Sequence, residues 1–132
     1  MTWQINDREF QQVLMQPGTI RYKYFISHVA DWKEVWSLRN QEGWIQAQDH
    51  KGTILFPVWP HPRYAQACAS GPWEDCRPEV IDLDAWLNRW IPGMKRDNRW
   101  IADFPTPQSV GICVSPERLE PDLKGELARL VE

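Results

Sequence analysis

The densest chemistry in this 132-residue chain lies in Val58-Trp59-Pro60-His61-Pro62-Arg63-Tyr64. An apolar run, Thr53 to Phe56, leads into this turn and delivers aromatic rings, an imidazole and a guanidinium together. A rigid element ending in a loop is a usual place for binding side chains. Two prolines stiffen the turn and lower the entropy lost when something binds. Trp59, His61, Arg63 and Tyr64 are therefore candidate binding residues, forming one wall of a cleft. The turn also has an ordinary structural use, with Trp59 filling the core and His61 capping the next helix.

Cys68 and Cys76 lie eight positions apart, downstream of His61. Structural zinc sites pair cysteines two to four residues apart, so this spacing is outside that pattern and no metal is expected. A Cys68–Cys76 disulfide across the loop is one use of the pair. Nucleophilic catalysis by Cys68 with His61 would need a hydrogen-bonded pair oriented by a third group. Cys113 sits in an apolar run and reads as a core residue. The chain has no Gly-x-Ser-x-Gly, no glycine-rich phosphate loop and no His-Glu-x-x-His, so neither a catalytic set nor a cofactor is assigned.

The third constellation is acidic. Glu74, Asp75, Glu79, Asp82 and Asp84 surround Trp73. Such charge suits a solvated loop and the start of a helix. It also suits a surface with an aromatic anchor that steers a basic partner. Trp73, Glu74 and Asp75 join the candidate binding residues on that ground. Asp82 with Asp84 is the carboxylate pair an enzyme reading would use.

Helices and strands must position these groups. Asn6 with Glu9 makes a capping box, and Ile5 with Phe10 a hydrophobic staple, for a helix over 6–15. A second helix is expected from about Thr19 to Ala30. Strands follow at 35–39, 44–48 and 53–59, with pairing loosened at Pro57. A short helix runs from Arg63 to Ala69, and 70–80 read as loop. Leu83, Trp86, Leu87, Trp90 and Ile91 form an apolar helical stripe that Pro92-Gly93 should stop. Strands at 100–104 and 110–114 precede a last helical stretch, broken at Pro121. The order ααβββααββα predicts a single α+β domain over residues 1–132. Its helices should cover one five-stranded, mostly antiparallel sheet.

Composition narrows the classes. Fifteen Lys and Arg against eighteen Asp and Glu give a net charge of -3. With no basic patch, a nucleic-acid partner is not expected. No stretch is long and apolar enough to span a bilayer, and the N-terminal residues do not read as a signal peptide. Three cysteines, an odd number, suit reduced thiols in a cytoplasm. Nine tryptophans are several times normal usage, and exposed indoles would favour protein contacts, a homodimer among them.

The chain also carries Tyr22-x-Tyr24-Phe25, Asp31-Trp32-x-Glu34-Val35-Trp36, Glu42-Gly43-Trp44 and Pro57-Val58-Trp59-Pro60-His61 in order. Trp73, Ile81-Asp82-Leu83-Asp84, Trp90-x-Pro92-Gly93, Phe104-Pro105-Thr106-Pro107 and Val114-Ser115-Pro116-Glu117 follow. This series resembles the bacterial family known as domain of unknown function 2750, over about residues 20–130. The resemblance implies a small, single-domain, cytoplasmic bacterial protein and carries over no catalytic or binding residues. The layout is also similar to enhanced-serine-sensitivity (SseB-like) domains, small α+β modules. The leading functional expectation is a non-enzymatic protein-interaction module, an adaptor or an immunity-type inhibitor of a basic partner. The alternative is a small-molecule-binding domain with an aromatic cleft around Trp59 and His61. A small enzyme ranks third.

Overall fold

Helix starts fix much of the architecture. In the computed structural model, which describes residues 3–131, Asn6 accepts a 2.8 Å hydrogen bond from the Glu9 amide and begins helix α1, Asp7–Leu14. Helix α2, Gly18–Trp32, buries Tyr22, Phe25, Ile26, Val29 and Ala30 along one stripe. It ends where Lys33 adopts left-handed backbone, φ 61°. Both helices lie where their patterns place them.

Strand β1, Glu34–Asn40, turns through Gln41 and Glu42 into β2, Gly43–Trp44. Gly43, at φ 126°, takes a conformation that side chains resist. The chain then changes partner. β3, Ala47–Gln48, pairs with β4, Ile54–Val58, and not with β1. The one strand expected over 44–48 is therefore two short strands in different sheets, with buried Ile45 at the changeover.

This corrects the expectation of one five-stranded sheet. There is a three-stranded sheet, β2-β1-β5, and a four-stranded sheet, β3-β4-β6-β7. Pairing is antiparallel except between β4 and β6. Trp36 and Trp59 exchange both backbone hydrogen bonds, at 2.9 and 2.8 Å, and so bridge the sheets.

Helix α3, Pro62–Ala67, leads into a 3-10 turn, Gly71–Trp73, and then into β5, Arg77–Asp82. The sequence reads 70–80 as loop, yet β5 pairs with β1 along its length, from Arg39↔Arg77 to Glu34↔Asp82. β5 is an edge strand with a proline and mostly exposed side chains, so it lacks the alternation that announces a half-buried strand.

Asp82 accepts the Ala85 amide at 2.8 Å and starts α4, Leu83–Ala85. The rod continues as a π-helical turn, Trp86–Trp90, and then as α5, Ile91–Arg96. Pro92 therefore does not stop it. A proline ring clashes with the carbonyl four residues back in an α-helix, and a widened turn relieves that clash. Strands β6, Trp100–Asp103, and β7, Ile112–Val114, precede α6, Pro116–Leu130. Pro121 lies inside α6 without breaking it. It and Glu117, whose carbonyl loses its usual partner, are both exposed to water.

The core fills the space between the sheets and the helices. One face of the four-stranded sheet presents Phe56, Val58, Ile101 and Val114 to it, with Leu119 and Leu123 of α6 fully buried. No helix among the described residues is long and apolar enough to cross a membrane.

Candidate functional site

The turn after β4 keeps most of its chemistry inside the molecule. Trp59 is fully buried, and its indole Nε1 donates to the Pro105 carbonyl at 2.8 Å. The buried imidazole of His61 accepts the Arg63 amide on Nδ1 at 3.0 Å, capping α3. Nδ1 is then an acceptor, so Nε2 carries the proton and donates to the Trp3 carbonyl at 2.8 Å. Burial lowers the His61 pKa, helped by the Arg63 guanidinium. Tyr64 is also fully buried, its hydroxyl 3.2 Å from that of Tyr24, and burial pushes its pKa up to about 12. Arg63 reaches back to Asp7 at 2.6 Å and lies 4.1 Å over the Phe10 ring. Trp59, His61 and Tyr64 therefore act as plug, cap and strut, and none of the three lines either of the two cavities described below.

Trp73, Glu74 and Asp75 are placed differently. Trp73 is half-buried, edge-on to Trp59 with centroids 6.4 Å apart. Glu74 and Asp75 are exposed beside it, Asp75 within 3.4 Å of the Asn40 amide nitrogen.

Trp73 also forms part of the wall of a large groove over the outer face of the four-stranded sheet. The groove has a volume of about 970 Å³, which is at the upper end of ligand-sized hollows. Register builds its floor. Ala47 lies opposite Leu55, Pro57 opposite Ala102, and Ala102 opposite Cys113, so all five face one side. The walls are the β3–β4 turn, the segment from Ser70 to Trp73 and the loop from Pro105 to Val110. Cys113, expected in the core, faces this groove and is exposed, because its strand neighbours Ile112 and Val114 take the inward positions.

The groove is chemically quiet. Burial pushes the Cys68 thiol up to about 11, and its Sγ lies 3.3 Å from the Pro105 carbonyl. Partial burial, with Asp49 nearby, also raises the Cys113 thiol. Both thiols are thereby kept protonated and poorly nucleophilic at neutral pH. Cys68 and Cys76 are separate free thiols. Hydrogen bonds from the Thr53 and Lys51 amides hold the Asp49 carboxyl below its usual range.

A buried pair sits behind the groove wall. Arg21 donates to the carbonyls of Phe104 and Gln16 and to the Ser109 hydroxyl, at 3.1, 2.7 and 3.1 Å. It thus fixes the loop that lines the groove. Asp103 is buried, and among the described residues neither of its carboxyl oxygens has a hydrogen-bond partner. Burial raises its pKa well above the usual carboxylate range, opposed by Arg21. Nothing in the sequence marks this pair, since an Asp near the end of the strand expected over 100–104 would ordinarily reach water.

A second, smaller cavity of about 520 Å³ lies beside the π-helical turn. Trp44, Phe56 and Trp90 line it together with Arg89 and Arg99. The sequence puts Trp90 on an apolar stripe but gives no sign that Trp44, from a different sheet, meets it.

Two small sheets, a groove over the outer face of the four-stranded one and a smaller hollow beside the π-helical turn define this α+β domain. A family model described as Protein of unknown function (DUF2750) matches residues 22–123, and the chain belongs to that family. No curated protein and no solved structure matches it.

Proposed function

We propose that this protein is a non-catalytic protein-interaction module of the bacterial cytoplasm, and that it docks an apolar segment of a basic partner in the groove over the four-stranded sheet. The observation that carries this reading is the position of Trp73. It forms part of the apolar groove wall and is followed directly by the exposed carboxylates of Glu74 and Asp75. Tryptophan in a half-buried pocket wall is a frequent interface anchor. Carboxylates beside it accelerate the approach of a positive partner and exclude a negative one. The thiols of Cys68 and Cys113 that bound the groove fit a reducing compartment.

The test is affinity capture from the native host's lysate, read by quantitative mass spectrometry. Wild type is run beside Trp73→Ala, Cys113→Phe and the pair Glu74→Lys, Asp75→Lys. Cys113→Phe fills the groove from an exposed strand position and spares the core. The expected result is one protein enriched by wild type, lost with both groove variants and weakened by charge reversal. Equal enrichment across all four proteins, or no enriched protein, overturns the reading. The second outcome shifts the groove to a small apolar ligand.

A further inference from the structure

The smaller cavity lies across β4 from the groove. Leu55 and Pro57 face the groove, whereas Ile54 and Phe56 face this cavity. Its aromatic side is held together by mutual contact. Phe56 stacks on Trp90 at 4.7 Å, and Trp44 meets Trp90 edge-on at 5.2 Å. Trp90 closes the π-helical turn, and such turns recur at functional sites.

The polar side carries four charged groups. Arg89, from the π turn, and Arg99, just before β6, are both exposed, and neither is ion-paired among the described residues. Asp97 also lines the cavity but pairs with Arg96 at 3.6 Å, which leaves Glu42 as the lining carboxylate without an ion pair among the described residues. Because Arg96 neutralises Asp97, Arg89 and Arg99 face a single remaining carboxylate, Glu42, which leaves the cavity locally positive in a chain of net charge -3.

Each part selects a chemistry. Aromatic walls favour a flat ring. Planar guanidinium forks match phosphate oxygens in pairs. A carboxylate accepts hydrogen bonds from hydroxyls. We propose that this cavity binds a free mononucleotide, with its base against the Trp44–Phe56–Trp90 side, its phosphate on Arg89 and Arg99, and its ribose hydroxyls on Glu42. This site is separate from the groove and does not depend on the partner reading.

The test uses the whole 15N-labelled protein and its indole N–H signals, those of Trp44 and Trp90 assigned with Trp44→Phe and Trp90→Phe. AMP, GMP, CMP and UMP are each added to millimolar concentration. Adenosine, inorganic phosphate and a single-stranded oligonucleotide are added in parallel. At least one mononucleotide is expected to move the Trp44 and Trp90 signals and leave that of Trp59 in place. Affinity should fall at least about tenfold for the matching nucleoside and in the Arg89→Gln, Arg99→Gln variant. An unchanged Trp59 signal shows that this variant is folded. Trp73→Ala should bind the nucleotide as wild type does. The proposal is overturned if no mononucleotide moves these signals, or if the double variant binds equally well. It is also overturned if adenosine or phosphate alone reproduces the effect, or if the oligonucleotide binds more tightly than every mononucleotide.

Discussion

Protonating His61 would remove an acceptor and add a buried charge in one step. Its Nδ1 caps α3 through the Arg63 amide, and the ring is buried beside the Arg63 side chain. Its folded pKa is lowered below the ordinary 6.5, so the unfolded chain binds the proton more readily. The stability it contributes is present above pH 6.5 and is lost as pH falls through the lower folded value. Urea unfolding of wild type against His61→Ala should show a cap worth about 1 kcal/mol at pH 8, shrinking toward pH 5. Asp103 has the opposite sign. Its folded pKa is raised, so its cost is absent below the usual carboxylate range and grows as pH rises toward the folded value. Asp103→Asn, which keeps the shape beside Arg21 and Tyr22, should gain on wild type by up to about 1.4 kcal/mol per pH unit above about pH 4. A flat difference between pH 4 and 8 would show an ionised Asp103. The role of His61 is legible in the sequence because His61-Pro62 stands at a helix start. That of Asp103 is not, because only the fold decides that a strand's last residue is covered by α2.

The loop between β6 and β7 shows how an element can depend on one backbone angle. Gly111 has φ 85°, and a Cβ there would lie 2.5 Å from the Asp103 carbonyl oxygen and 3.0 Å from the Pro105 nitrogen. Both neighbours are backbone and cannot swing aside. Gly111→Ala should cost at least about 2 kcal/mol in chemical denaturation and disturb the groove wall. Gly125 is the contrast. It lies inside α6, and a Cβ added there would meet nothing within 4 Å, so Gly125→Ala should stabilise by about 0.5–1 kcal/mol in the same measurement. Element legibility follows local physics. Capped, periodic helices such as α1 and α2 are readable. β5 is not, because what makes it a strand is its pairing with β1, far upstream in the chain, and not any pattern of its own. Pro92 and Pro121 mislead in one direction, since proline's penalty is real but can be relieved by a π turn or by solvent.

At the scale of the molecule, the two hollows differ in the charges that stand at them. Carboxylates stand beside the larger groove at Glu74 and Asp75, while Arg89 and Arg99 stand at the smaller cavity. Partner association at the groove should therefore weaken as salt rises, with the change mainly in the association rate. Surface plasmon resonance between low and physiological ionic strength, on the captured partner, checks this. An unchanged association rate would leave the carboxylates without a steering role. The α+β class is legible from the change of hydrophobic period. The division into two sheets is not, because the switch of partner at Ile45 leaves the alternation on either side intact. The sheets meet at the Trp36–Trp59 bridge, reinforced by the Ser37 hydroxyl on the Pro57 carbonyl at 2.7 Å. The amide protons of Trp36 and Trp59 thus sit at a seam that local fraying of either sheet's edge does not reach. In deuterium oxide they should be among the last to exchange, and their rates read out the opening of the whole domain.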